Sequence, residues 1–435
     1  MKNYFKRAAL YFFAATMAMA FTACSSDDDG DGNGNGGNDG NGGGTTEVDY
    51  TNKAYGNAAI AGCKNIEDEL VSANNIIGSS SLTAEQEAFL KNAVINLVDN
   101  VIVPTYTDLA NKTETLEGTL HGLDVNTLTQ EDINRACELF GEARVQWERS
   151  EAFLGGAASD FSIDPTIDSW PLSRSKLHQY FSGNMDPTEL DDESILGFHA
   201  LEFILFRNGQ PRKVTEFRTN DTYNGFTDIS GAKELKYAQQ VCTLLKERTF
   251  QLQVAWEGVT TANSSRVAVV QAAGLSYTTE KGLSYGEDLK QYGSAQSKYT
   301  NLKDVIEQIL SNDEGSAAAI ANEVGTAKIA NPFSAGDISY VESPYSYRSI
   351  TDFQDNIRSI RNVWYGNTTG NADAGNYSFY AFFAQTRPEV NTSVVNAFEG
   401  AINAIGAMPA PFVKYCCTVW GKEFSEEEYE GGEEE

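Results

Sequence analysis

Histidine is almost missing from this chain, with three residues in 435. No H-E-x-x-H is among them, which excludes the usual zinc-peptidase arrangement of two helix-borne histidines around a general base. No G-x-S-x-G elbow and no phosphate-binding loop occurs either. Cysteine is also scarce, at six. Apart from Cys24, the set Cys63, Cys137, Cys242, Cys416 and Cys417 is odd in number and shows no C-x-x-C spacing. That speaks against a disulfide framework, although an exported chain could hold one bridge. The adjacent Cys416-Cys417 follows Phe412, Val413 and Tyr415 and reads as core packing. Positive charge is the third shortage: 32 Lys and Arg face 61 Asp and Glu, for a net charge of −29. Such an excess disfavours nucleic acid or an anionic membrane surface as partner and is compatible with attracting cations.

What is present begins with a leader. Lys2, Lys6 and Arg7 precede an apolar stretch from Ala8 to about Phe21, and Phe21-Thr22-Ala23-Cys24 follows. A small residue just before a cysteine resembles a bacterial lipobox, so 1–23 is expected to be a signal peptide and Cys24 the lipidated first residue. The alternative, a single membrane span, is short at ~14 apolar residues. The acidic Ser25-Ser26-Asp27-Asp28-Asp29 resembles the signal that sends some lipoproteins to the outer leaflet of the outer membrane, or is plain solvated linker. Residues 24–49 form a Gly/Asn/Asp tether, whose ~22 residues from Ser25 to Thr46 reach roughly 25 Å as a random coil. Gly32 to Gly37 matches G-x-G-x-x-G by accident, because no strand precedes it and no helix follows. At the other end, 423–435 is a Glu-rich tail.

Between these ends, apolar residues recur at helical spacing over 53–71, 83–109, 129–154, 194–206, 231–257, 298–310, 347–364, 390–407 and 410–420, and strand-like alternation is scarce. Thr83 and Gln86 form a capping-box pair, Thr129-Gln130-Glu131-Asp132 is a capped acidic start, and Pro104 should kink or end its helix. The chain is therefore expected to be all-α, in two helical-bundle halves of 50–215 and 216–422. Arg144-Val145-Gln146-Trp147 and Arg361-Asn362-Val363-Trp364 echo each other, which points to a diverged duplication.

The chemistry gathers in 195–206. His199 and Glu202, three apart, lie roughly 60° from each other around a helix, one turn along. Phe198, Leu201, Phe203, Ile204, Leu205 and Phe206 surround them, so the pair is expected to be buried and in need of partners. An imidazole nitrogen with a carboxylate oxygen is half of a site for Fe, Zn, Mn or Cu; an imidazole paired to a carboxylate in a core is the other reading, and spacing leaves both open. Further ligands must come from other helices. Glu142, Glu148 and Glu151, and Asp168 before Trp170-Pro171, are the candidates; each taken alone reads as a surface charge, and Glu151, followed by Ala152, Phe153 and Leu154, is the better one. Arg144 and Trp147 read as structural, a guanidinium held to a buried carboxylate and an aromatic anchor. His121 and His178 could approach only through the fold.

Gly197-Phe198-His199-Ala200-Leu201-Glu202 matches the G-x-H-x-x-E motif of the imelysin-like proteins. The order around it is similar to that family as well: Ala143 to Phe153, Ile167-Asp168-Ser169-Trp170-Pro171, Glu342-Ser343-Pro344-Tyr345-Ser346 and Asp352 to Ile357. The resemblance covers about residues 50–420. It implies an all-α fold of two halves with the site near their interface, and His199 and Glu202 as the central pair. The family takes its name from an insulin-cleaving protease, and many members resemble exported iron-uptake components. By resemblance the chain is expected to be an outer-membrane lipoprotein, periplasmic or surface-exposed. It would bind a transition metal, iron first, or an iron-bearing ligand, with an outer-membrane uptake partner; a metal-dependent peptidase and a surface binding module are the alternatives.

Overall fold

Helix follows helix, and seven α-helices among the described residues open on a Ser, Thr or Asn side chain that caps the first turn. The computed structural model describes residues 50–183, 192–223, 226–335 and 340–416. The expected leader, Cys24, the tether, Cys417 and the acidic tail lie outside them. The first helices are α1 (Tyr50–Ser79), α2 (Ala84–Leu97), α3 (Val103–His121) and α4 (Gln130–Glu148). Shorter pieces follow: α5 (Ala157–Asp160), α6 (Ile163–Asp168), α7 (Arg174–Ser182) and the buried α8 (Gly197–Leu205). Then come α9 (Gly231–Glu257), α10 (Ser264–Ala272), α11 (Tyr285–Lys290), α12 (Leu302–Leu310) and α13 (Ala317–Glu323). The last are α14 (Ser349–Tyr365), α15 (Phe379–Thr386), α16 (Pro388–Gly406) and α17 (Phe412–Tyr415). Strand structure among the described residues is a two-residue hairpin, β1 (Phe206–Arg207) against β2 (Gln210–Pro211), and one isolated bridge. The all-α expectation holds.

Both capping boxes form, Thr83 with Gln86 and Thr129 with Asp132. Pro104 does not stop its helix. A π-helical turn, Val98–Ile102, widens the helix just before it, and the chain runs on to His121. His121, beyond the helix expected over 83–109, thus ends α3 and meets Thr243 Oγ1 at 2.8 Å. The helix expected over 129–154 breaks earlier, at Glu148, and residues Glu151–Phe153 form a separate 3-10 turn. The R-x-x-W echo is partial. Trp147 and Trp364 are both buried with bonded indole N–H groups, but Arg361 pairs with Glu399 where its side chain is 21% exposed, whereas Arg144 is 1% exposed.

One hydrophobic cluster runs from Ala59 to Cys416 and draws on helices of both expected halves. α1 packs on α16 and α13, α3 on α4 and α9, and α8 on α9. The end of α4 faces α14: Arg149 pairs with Asp355 at 2.9 Å, and Ala152 N–H donates to Ser359 Oγ at 3.0 Å. No helix of the described residues is long and apolar enough to cross a membrane.

Candidate metal centre

All nine residues of α8 are buried, so its placement is set by packing at both ends. At its start, Gly197 has φ +71°, and a Cβ there would lie 2.1 Å from the carbonyl oxygen of Ile167. Only glycine lets α8 begin against the last turn of α6. That close approach brings His199 beside Asp168, the final residue of α6. At the other end, Arg207 donates to the carbonyls of Phe203 and Phe206, and Arg212 donates to that of Ile204 at 3.1 Å. Two guanidinium groups thus satisfy carbonyls that a helix end leaves without intrahelical partners. Asp221 holds Arg207 at 2.7 Å and Glu234 holds Arg212 at 2.9 Å.

Within this frame three ligand-type atoms converge: an oxygen each of Asp168 and Glu342 and a nitrogen of His199, all within 4.8 Å of one another. His199 Nε2 lies 3.2 Å from Asp168 Oδ1 and 3.9 Å from Glu342 Oε1. Its other nitrogen, Nδ1, is 3.5 Å from Glu202 Oε2. The second oxygen of Glu202 is committed elsewhere. It accepts from Tyr345 N–H at 3.0 Å, Ser346 N–H at 2.7 Å and Ser346 Oγ–H at 2.7 Å. Ser343 and Tyr347 in that loop both take left-handed backbone (φ 54° and 61°), a costly shape for residues with side chains. Glu202 therefore ties the strained loop to α8 and presents its remaining oxygen to the imidazole.

Two buried cations thread the cluster. Arg144, on α4, pairs with Asp168 and Glu342 through its two terminal nitrogens, with Glu148 through Nε at 2.5 Å, and approaches Asp352 at 3.6 Å. Lys328, on a π-helical stretch Val324–Ala335, reaches Glu342 Oε2 at 3.1 Å and Oε1 at 3.3 Å. Trp147 donates its indole N–H to Asp168 Oδ2 at 2.6 Å. Asn356 donates to Glu148, and Ser343 Oγ–H to Asp352 Oδ2 at 2.7 Å.

Burial works to lower the basicity of His199, but the carboxylates of Asp168 and Glu202 outweigh it and hold the imidazole at about 9. Burial would raise Asp168; the Arg144 charge and His199 win, and its carboxyl stays well below the usual range. Glu148 and Glu151 go the other way. Burial pushes both up, against the pull of Arg144 on the first and of Lys328 on the second. The pocket thus holds ionised and protonatable carboxylates side by side.

Of the residues singled out from sequence, His199 and Asp168 meet, Glu202 stands behind the imidazole, and Glu151, 4% exposed, stays outside the three converging atoms. Arg144 and Trp147 are the expected anchors. Glu148, read from sequence as a surface charge, is wholly buried, because Arg144 and Asn356 replace the water it loses. His178 lies on α7 against Asp228 at 2.9 Å, and neither it nor His121 joins His199. Sequence reasoning assigned no role to Glu342 or Lys328. Glu342 stood inside the Glu-Ser-Pro segment, and Lys328 was a lone base in an apolar run from Val324 to Phe333.

The family model of imelysin (peptidase M75) matches residues 102–427. Iron-regulated protein A of Synechococcus elongatus is 24% identical over 346 residues, which are 79% of this chain and 83% of that protein. A crystal structure described as that of an iron-regulated protein A precursor from Parabacteroides distasonis matches with a TM-score of 0.62 and 27% identity, covering 78% of this chain and 92% of that one. An imelysin-like protein from Psychrobacter arcticum matches at 10% identity and a TM-score of 0.44, over 76% of this chain and 96% of that one. With the G-x-H-x-x-E helix at the centre of a match that spans three quarters of its length, the chain belongs to the imelysin family.

Proposed function

We propose that this protein binds a transition metal ion, iron before zinc, at His199, Asp168 and Glu342, as cargo in uptake rather than as a catalytic centre. The observation that carries the proposal is the convergence of His199 Nε2 with an oxygen each of Asp168 and Glu342, all within 4.8 Å and buried, while the opposite nitrogen of the imidazole faces Glu202. A carboxylate behind a ligating imidazole is the usual outer-shell arrangement of metal sites. One nitrogen and two oxygens suit iron, manganese or zinc, and the relatives called iron-regulated protein A direct the choice to iron. An acidic surface favours arrival of cations. The loaded form is an iron ion passed to an uptake partner.

The test is elemental analysis of the purified chain, followed by titration with iron and zinc salts. Binding near one ion per chain, lost in His199→Ala and in Asp168→Asn, is expected; equal binding by wild type and His199→Ala would overturn the proposal. A peptidase fits less well. His199, Glu202 and Glu342 are at most 3% exposed, which leaves no room for a polypeptide strand. Metal-dependent cleavage abolished by Glu202→Gln in a folded protein would restore that reading. A purely structural pin is the other alternative, in which His199→Ala costs about 1–3 kcal/mol of stability and alters no binding.

The same proposal includes export, lipidation at Cys24 and a tethered position on the outer membrane, supported by the leader and the Gly/Asn/Asp stretch. Incorporation of labelled palmitate into the wild type and its loss in Cys24→Ser tests it.

A further inference from the structure

The three converging ligand atoms already share cations. Arg144 bridges Asp168 and Glu342 from a rigid planar fork, held at a third point by Glu148 and at 1% exposure. It is the fixed cation of the centre, and each carboxylate it holds keeps one further partner. Lys328 is built differently. Its ammonium rests on Glu342 alone among the three ligands, at 3.1 and 3.3 Å. It sits on a flexible four-carbon stem that carries no fixed fork. Its backbone belongs to a π-helical stretch, a loosely wound form frequent at functional sites, with Pro332 inside it.

A second berth for the ammonium lies next to the first. The carboxylate of Glu323, at the end of α13, is 3.8 Å from Lys328 Nζ, and its side chain is 41% exposed, against 0% for Glu342. The half-buried Trp170 ring, 5.5 Å from Nζ, flanks the route and offers its π face to a cation. Lys328 therefore stands between an inner carboxylate that the metal site needs and an outer one that water reaches.

We propose that Lys328 is the resident cation of this centre: its ammonium occupies Glu342 in the empty protein and moves toward Glu323 when a metal ion takes Glu342. This rests on the metal-binding reading above and adds to it a residue that sets affinity by competition. No bond is made or broken; one cation replaces another on Glu342. A lysine in this role keeps the carboxylate folded and paired while the site is empty, where an uncompensated buried charge would be costly. It also sets a threshold, because only an ion of higher charge or stronger coordination displaces it.

The experiment compares the full chain as wild type, Lys328→Met, His199→Ala and the double variant, titrated with ferrous and zinc salts and checked for retained fold by circular dichroism. Lys328→Met removes the charge and keeps the length of the stem. It is expected to bind the ion about tenfold tighter or more, the direction that removing a like charge a few ångströms away dictates. The double variant should lose that binding. A second readout follows Lys328 itself: its modification by an amine reagent, read by peptide mass spectrometry, should rise in the wild type when the ion is added.

Wild type that binds through His199, with Lys328→Met binding equally or more weakly and Lys328 labelling unchanged, overturns the competition while the metal site stands. Binding by Lys328→Met alone, again dependent on His199, supports the competition and shows that the wild-type site stays closed to free ions. Absence of binding in both overturns both. A Lys328→Met chain that fails to fold leaves the labelling to decide, and unchanged labelling on ion addition overturns the proposal.

Discussion

Arg144 holds the centre together, and its removal gives the sharpest test of the architecture, independent of any metal. Its side chain is 1% exposed and pairs with Glu148, Asp168 and Glu342, with Asp352 at 3.6 Å. Arg144→Met keeps much of the stem and deletes the charge. Three buried hydrogen bonds to charged groups at about 1.5–3 kcal/mol each set an upper bound. The real loss is smaller, because each carboxylate keeps something: Asp168 has Trp147, Glu342 has Lys328, and Glu148 has Asn356. A cost of about 3–5 kcal/mol, the usual range for breaking a buried charge pair from one side, is expected. Urea unfolding followed by tryptophan fluorescence measures it, since Trp147 sits on Asp168. Arg144→Lys, with its charge but no fork, should fall between. Adding Asp168→Asn to Arg144→Met should recover part of the loss, since the neutral amide no longer needs the cation. A cost below about 1 kcal/mol for Arg144→Met would refute the view that these carboxylates are held by pairing.

Gly197→Ala meets both a left-handed backbone and the Ile167 carbonyl at 2.1 Å, so a loss of about 2–6 kcal/mol in chemical denaturation is expected. At the far end of α8, burial raises the Glu234 carboxyl from 4.5 to about 7 despite Arg212. The folded state then holds a proton that the unfolded chain releases, so stability falls as pH rises from 4.5 to 7 and levels off above. The Glu234 share of that slope totals at most about 3 kcal/mol, and Glu234→Gln should be shallower than wild type by that share, by denaturant midpoints across pH. Cys63, Cys137, Cys242 and Cys416 are buried free thiols, with Cys63 pushed up to about 12 by burial. Peptide mass spectrometry after maleimide treatment should find all four unmodified in the native protein and modified once it is unfolded.

Most of the helices were legible because their apolar spacing and caps are local signals. The apolar spacing over 231–257 and the Thr129 box state where α9 and α4 lie, and tertiary packing agrees. Pro104 misled because a proline is read as a stop unless the preceding turn widens, and a π-helical turn has no clear sequence mark. The short α10, α11, α13 and α15, and the stretch over 324–335, went unread for a related reason: few residues carry the pattern, and packing decides their form.

At the centre, the sequence by itself determined that an imidazole and a carboxylate three residues apart lie buried on one helix. That helix, expected from 194, begins at Gly197, where the Ile167 carbonyl leaves no space for a Cβ. Only the tertiary structure decided which atoms face one another. Glu202 turns one oxygen to the loop at Tyr345 and Ser346, Asp168 and Glu342 converge on His199 Nε2, and Glu151 stays apart. Glu342 lies 140 residues from Glu202 in the chain, and Lys328 is one base in an apolar run. Their roles arise from distances near 3 Å and from the exclusion of water, and sequence spacing encodes neither when the partners sit on different helices.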